Sequence, residues 1–108
     1  MHARMTTIRT QPGKVAEAMD IAQGSMTPHA SEQQGFKGLL ALTDPESDEV
    51  VFISLWDTEE DLQAGEDSGY YEEQIGKLSN ILAGRTEREV FEAVILARVE
   101  ADNFSGRT

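Results

Sequence analysis

The sequence contains no cysteine, a single tryptophan, three lysines, three prolines and two histidines. Each scarcity removes something. Without cysteine there is no disulfide framework, no thiolate nucleophile and no cysteine metal site, which fits a reducing compartment. No apolar run approaches the roughly 18 residues that a membrane-spanning helix needs. The N-terminal MHARMTTIRT lacks the apolar stretch of a signal peptide. A cytoplasmic location is the expectation. There is no phosphate loop, no G-x-S-x-G and no dinucleotide fingerprint. No spaced set of His, Asp and Glu suits a metal, and the DPESDE turn lacks the ligand and glycine pattern of an EF-hand. Neither metal nor cofactor is expected.

Basic charge is scarce as well. Twenty acids face nine bases, for a net charge of −11. From Asp44 to Glu73 there are 12 acids and no lysine or arginine. Such a surface repels nucleic acid and anionic membranes, so neither is expected as a partner. The plain reading is a solvated acidic face. The sharper one is adaptation to high salt, with Lys14, Lys37 and Lys77 the only lysines.

What remains is enough for a core. At 108 residues the chain reads as one domain over residues 1–100, with a frayed tail at 101–108. Met5 to Thr10 is β-branched and reads as a first strand. Pro12-Gly13 ends it. An apolar stripe of Val15, Met19, Ala22, Met26 and Ala30, with Ala18 beside it, predicts one helix over about residues 13–33. Gly24 and Pro28 weaken that helix, and Pro28 is a kink point. Gly35 stops it. Phe36–Thr43 and Val50–Trp56 read as the second and third strands, joined by the polar DPESDE turn.

A capping box is available at Asp57 with Glu60 or at Thr58 with Asp61, opening a short acidic helix that ends near Gly65. A further helix has Tyr71, Ile75, Leu78 and Leu82 on one face, with Gly84 as its C-terminal cap. Glu89–Val99 reads as the fourth strand. The order predicts an α+β fold, a ferredoxin-like split βαβ protomer with helices on one face of an antiparallel sheet.

The strands contain Leu39-Leu40-Ala41-Leu42, Val50-Val51-Phe52-Ile53 and Ala93-Val94-Ile95-Leu96, which are apolar in both registers. A sheet with one wet face should alternate. Helices cover one face only, so a second copy of the sheet is expected on the other, giving a homodimer. The alternative is that some strands simply carry surplus apolar residues.

The segment VVFISLWDTEEDLQAGEDSGYY, Val50 to Tyr71, carries a resemblance. A strand ending in Trp, a turn into an acidic helix, a Ser68-Gly69 break and a tyrosine pair, with Pro-Gly before the first helix, resemble the antibiotic-biosynthesis-monooxygenase-like dimeric α+β barrels. The likeness spans about residues 3–100. It implies a ferredoxin-like protomer, an obligate dimer and a pocket between sheet and helices. Activities in that family include cofactor-independent oxygenation of polycyclic phenols and quinol-like compounds, and haem degradation, and some members have no demonstrated activity. Many members carry a histidine where this chain has Leu62-Gln63-Ala64-Gly65. Asp57 to Gly84 contains no histidine at all, which counts against haem chemistry.

The candidate site residues follow. His29 is expected as general base, because a neutral imidazole can remove a phenolic proton near neutral pH. The competing reading is a structural histidine at a helix end, and His2 is expected to be disordered. Tyr71 is expected to hydrogen-bond a ligand oxygen as the inward member of its pair, against plain packing. Trp56 and Tyr70 are expected to line the pocket, against simple core positions, and Asn80 and Arg85 to orient a polar ligand group, against ordinary surface roles. The leading expectation is a cofactor-independent monooxygenase-like protein acting on a small aromatic or quinol-type substrate. The alternative is a non-catalytic dimeric barrel that binds a small hydrophobic molecule or serves as an accessory protein.

Overall fold

A computed structural model describes residues 1–98. Strand β1 (His2–Arg9) leads into helix α1 (Val15–Ile21), a π-helical turn (Ala22–Met26) and helix α2 (Thr27–Ala30). Strands β2 (Phe36–Asp44) and β3 (Glu49–Trp56) form a hairpin. Helices α3 (Glu59–Asp67) and α4 (Tyr70–Gly76), a 3-10 turn (Ser79–Ile81) and strand β4 (Glu87–Glu92) complete the order. The four strands lie in the order β2-β3-β1-β4, each pair antiparallel. This is the ferredoxin-like α+β plan expected from the sequence. Among the described residues no helix is long and apolar enough to cross a membrane.

The first helix is broken where the sequence placed its weak points. The buried positions Val15, Ala18, Ala22, Met26 and Ala30 advance by steps averaging more than the ideal 3.6 residues. The wider π turn absorbs that surplus and keeps all five on one face. Pro28 supplies the local cause, since its ring cannot tolerate the carbonyl four residues back. Both the backbone N–H and the hydroxyl of Thr27 reach the Ala22 carbonyl instead, the hydroxyl at 2.8 Å. The helical stretch therefore runs from Val15 to Ala30, shorter at both ends than the sequence suggested.

Strand β3 alternates cleanly. Val50, Phe52, Ser54 and Trp56 are buried against the helices, and Val51, Ile53 and Leu55 face away. Ile8, Val50, Phe52 and Leu78 meet Val15, Ala18, Ala22 and Met26 in the main core cluster. A second cluster gathers Trp56, Leu62, Tyr70 and Ala30. Burying each large side chain contributes about 1.5–3 kcal/mol. Thr58 caps α3, its hydroxyl accepting from Asp61 N at 3.0 Å, which is one of the two capping arrangements the sequence offered. Gly35 lets the start of β2 approach that helix: it sits at φ +78° beside the Asp61 side chain.

Three expectations are corrected. His2 is not disordered; it begins β1, paired with Trp56 and Glu92 across the sheet. Strand β4 ends at Glu92, and Val94, Ile95 and Leu96 follow it exposed, so that apolar run is not strand. Gly84 caps no helix. The chain leaves helix at Gly76, passes the 3-10 turn and is already extended at Leu82. The tail at 101–108 lies outside the described residues.

Candidate functional site

Between the sheet and helices α2 and α4 lies a pocket, built from alternate residues of β1 and β3 and from two residues of β2 on either side of a bulge. Arg4 and Thr6 come from β1, Phe52 and Ser54 from β3, Phe36 and Leu39 from β2. Met26 and Ala30 close it from the π turn and α2, and Tyr70, Tyr71, Gln74 and Ile75 from α4. Atom-free space totals about 450 Å³ with the mouth included, but only about 40 Å³ admits the centre of a water molecule. Drug-sized ligands occupy roughly 300–1,000 Å³. The interior is therefore narrow, and any but a very small ligand requires side chains to move.

The walls are mostly apolar, and the polar groups converge from three elements, β1, β3 and α4. Arg4 is only 3% exposed. Its Nη1 donates to Glu66 Oε2 at 3.2 Å, and its guanidinium lies over the Tyr71 ring at 4.3 Å and the Trp56 ring at 5.6 Å. Arg88 also grips Glu66, through Nε at 2.7 Å and through Nη2. One carboxylate thus serves two guanidiniums and leaves local positive charge at the pocket. The Tyr71 and Thr6 hydroxyls share a hydrogen bond of 3.0 Å. Burial pushes the Tyr70 phenol above its ordinary value, and Arg4 pulls in the opposite sense.

The six candidate residues divide three ways. Tyr70 and Tyr71 line the pocket, but their burial is exchanged relative to the sequence reading. Tyr70 is the buried one, packed edge-on against Trp56 with ring centroids 6.4 Å apart, and Tyr71 is half-buried. The buried face of this stretch is Tyr70, Gln74 and Leu78, so of the expected face of Tyr71, Ile75, Leu78 and Leu82 only Leu78 is fully buried. His29 and Trp56 stand one contact behind the pocket wall. His29 Nδ1 is 2.8 Å from Gln74 Nε2, and its ring meets Tyr70 edge-on at 5.3 Å. Trp56 is 1% exposed and donates from Nε1 to Ser54 Oγ at 2.9 Å. Trp56 also borders a wider, acidic depression with Gln33, Gln34, Glu60 and Asp61, which lies open to solvent.

Asn80 and Arg85 are not brought to the pocket. Asn80 is exposed on the 3-10 turn, where its carbonyl accepts from Gln11. Arg85 borders a shallow polar depression with Arg9, Glu49 and Glu87. Sequence reasoning missed Arg4, Thr6, Ser54 and Gln74. The signal for the first two was present: counting back by twos from the inward Ile8 reaches Thr6 and then Arg4.

Comparison with known proteins finds the same fold. The antibiotic biosynthesis monooxygenase family profile matches residues 1–75. The chain belongs to that family. No curated protein sequence matches it. Among solved structures, a monooxygenase of Streptomyces coelicolor in complex with nanaomycin D superposes with a TM-score of 0.71 at 18% identity, covering 90% of this chain and 92% of that one. A protein of unknown function from Nitrosomonas europaea gives 0.70 at 20% identity over 93% and 94%. A conserved protein from Methanosarcina mazei gives 0.67 at 20% over 84% and 91%. At such identities these likenesses concern the fold.

Proposed function

We propose that this member of the antibiotic biosynthesis monooxygenase family is a cofactor-independent monooxygenase-like protein that takes a small aromatic or quinol-type substrate into the sheet–helix pocket. The observation that carries the reading is a mostly apolar, narrow cavity in which a buried guanidinium and a tyrosine side chain stand together. In this chemistry the substrate loses a proton and the resulting anion supplies electrons to O2. A guanidinium in a water-poor pocket stabilises a developing oxyanion far better than the same group in water. Arg4 holds that charge, and Tyr71 donates to it once Thr6 takes the donor role in their hydrogen bond. His29 is the proton acceptor, reaching the substrate past Gln74 through a water admitted beside it.

The same reading makes the active form a homodimer of single-domain chains. On the sheet face away from the helices, cross-strand rows run Gly38, Leu55, Ala3, Phe91; Leu40, Ile53, Met5, Glu89; and Leu42, Val51, Thr7, Glu87. Leu40 and Leu42 are about half exposed there, at 54% and 51%. A contiguous apolar sheet face of this kind is what a second copy would cover.

Oxygen uptake with a panel of anthrone- and quinol-type compounds tests the activity. General-base help is worth about 10²–10⁴ in rate, so His29→Ala should lower uptake by that order. No uptake by the wild-type protein across the panel would defeat the reading. A second reading, a non-catalytic binding or accessory barrel, is favoured by one observation: Arg4 with Glu66, and Thr6 with Tyr71, already satisfy one another in the narrow pocket.

A further inference from the structure

Gln74 is 4% exposed and lines the pocket. Its Nε2 is engaged by His29 Nδ1 at 2.8 Å. Its Oε1 is buried and has no hydrogen-bond partner among the described residues. A buried acceptor left unpaired is destabilising, and a fold keeps one where something else meets it. His29, unlike Gln74, is in touch with solvent, its side chain 34% exposed.

We propose that Gln74 is the specificity-determining residue of this pocket, and that the protonation state of His29 decides which end of the Gln74 amide a ligand meets. With His29 neutral and Nδ1 unprotonated, Nδ1 accepts from Nε2–H and Oε1 is left to the pocket as an acceptor. The ligand class is then a flat aromatic molecule that bears a hydroxyl. Its O–H donates to Oε1, and its ring lies among Phe36, Leu39, Phe52 and Ile75. When His29 is protonated, Nδ1 becomes a donor, and of the two ends of the Gln74 amide only Oε1 can answer it. The amide turns over, Nε2 faces the pocket, and the favoured ligand is one that accepts, such as a carbonyl or an oxyanion. A quinol and its quinone differ in just this respect, so the pair would hold the reduced form when His29 is neutral and the oxidised form when it is charged.

The groups facing His29 bear on the switch. On α4 these are Tyr70, edge-on to the ring, and Glu73, whose Oε1 is 3.9 Å from Nδ1. Glu73 is the rival acceptor for the new proton, but it is the more exposed, at 61%. From its own segment, the His29 carbonyl accepts from the Glu32 backbone and from Gln33 Nε2.

The inference rests on the pocket being the ligand site and not on oxygen chemistry, so binding is measured without oxygen. The probes are para-fluorophenol, which donates, and para-fluoroanisole, which only accepts, followed by fluorine NMR at about pH 8 and about pH 5, the range over which histidine ordinarily changes charge. A phenol of this kind, like a tyrosine side chain, keeps its proton throughout that range, so a change belongs to the protein. Near pH 8 the phenol should bind roughly three- to tenfold tighter than the anisole, the worth of one net hydrogen bond. Near pH 5 the preference should vanish or reverse.

Gln74→Leu should bind both probes alike at either pH, with Gln74→Met in its place if the first variant fails to fold. His29→Phe, which keeps the ring against Tyr70, should lose the pH response, and Glu73→Gln should keep it. The proposal is overturned if wild type binds neither probe or shows no preference. It is equally overturned if Gln74→Leu and Gln74→Met retain the preference, if His29→Phe retains the pH response, or if Glu73→Gln abolishes it. Absence of oxygen uptake would defeat the monooxygenase reading and leave this preference intact.

Discussion

Removing the carboxylate of Glu66 isolates the most consequential charge in the fold. Glu66 accepts from Arg4 at 3.2 Å and from Arg88 Nε at 2.7 Å, and the three side chains are 15%, 4% and 38% exposed. The Arg88 half is open to solvent and screened, and is worth about 0–1 kcal/mol. The Arg4 half is different. Glu66→Ala leaves a guanidinium buried with no counter-charge, and breaking a buried pair in that way costs about 3–5 kcal/mol. Stacking over Tyr71 returns some of this, on the order of 0.5–2 kcal/mol. A net loss near 3 kcal/mol is expected, equivalent to roughly 10–20 °C in melting temperature for a domain of this size. Arg4→Met is the contrasting variant, because it removes the buried charge, fills similar volume and leaves Glu66 held by Arg88. It should cost less than about 1 kcal/mol or stabilise. Urea unfolding of both variants at one fixed protein concentration reads the difference, since association would otherwise enter the result. Equal losses in the two variants, or a loss below about 1 kcal/mol for Glu66→Ala, would refute the reasoning.

Three further outcomes are expected. Ile53→Glu puts a carboxylate in the middle of the helix-free sheet face, between Leu40 and Met5, and should halve the mass found by sedimentation; an unchanged mass would place any dimer contact elsewhere. Gly35→Ala forces a Cβ onto the Asp61 carboxylate at φ +78°, so it should destabilise by about 1–3 kcal/mol, and pairing it with Asp61→Ala should recover the steric part but not the backbone part. Tyr70, whose folded value is raised above the ordinary 10.0, makes stability fall as pH climbs from that unfolded value toward the raised folded one, because the unfolded chain releases its proton first. Tyr70→Phe should flatten that alkaline decline, and an identical decline in the variant would trace it to other groups.

The fold was legible because its signals are local and agree with one another. The break at Pro12-Gly13, the Thr58 cap, the Trp-terminated strand and the Ser68-Gly69 step each mark a boundary by its own chemistry. What misled was apolarity without periodicity. Ala93 to Leu96 looks like strand by composition, yet β1 runs out of partners at His2, whose mate in β4 is Glu92. A strand continues only where a neighbour offers free N–H and C=O groups, and no local pattern reports that. In the first helix the converse held. Gly24 and Pro28 announced a weakness, but only the spacing of five buried residues required a π turn in place of a simple kink.

The site was harder to read, for a reason that lies in how such pockets are made. Residue types that carry chemistry in isolation stand out in a sequence, and His29, Tyr71 and Trp56 are of that kind. The pocket instead takes its polar character from residues whose positions are set by strand alternation and by helix pitch. Arg4 is inward because it is an even step from Ile8, and Gln74 is inward because it is one turn from Tyr70 and one from Leu78. The tyrosine pair shows the limit most clearly. A shift of one residue in helical phase separates Tyr70 buried beside Trp56 from Tyr71 beneath Arg4, and no feature within the pair decides between them. Gly65 of α3 lies against the Tyr70 ring, where a Cβ would stand 3.4 Å away in ordinary contact, so the phase follows instead from Tyr70 packing edge-on against Trp56 and His29. In sequence that glycine reads as a helix end. In space it lies against the tyrosine that reaches the core, while the neighbouring tyrosine sits beneath Arg4.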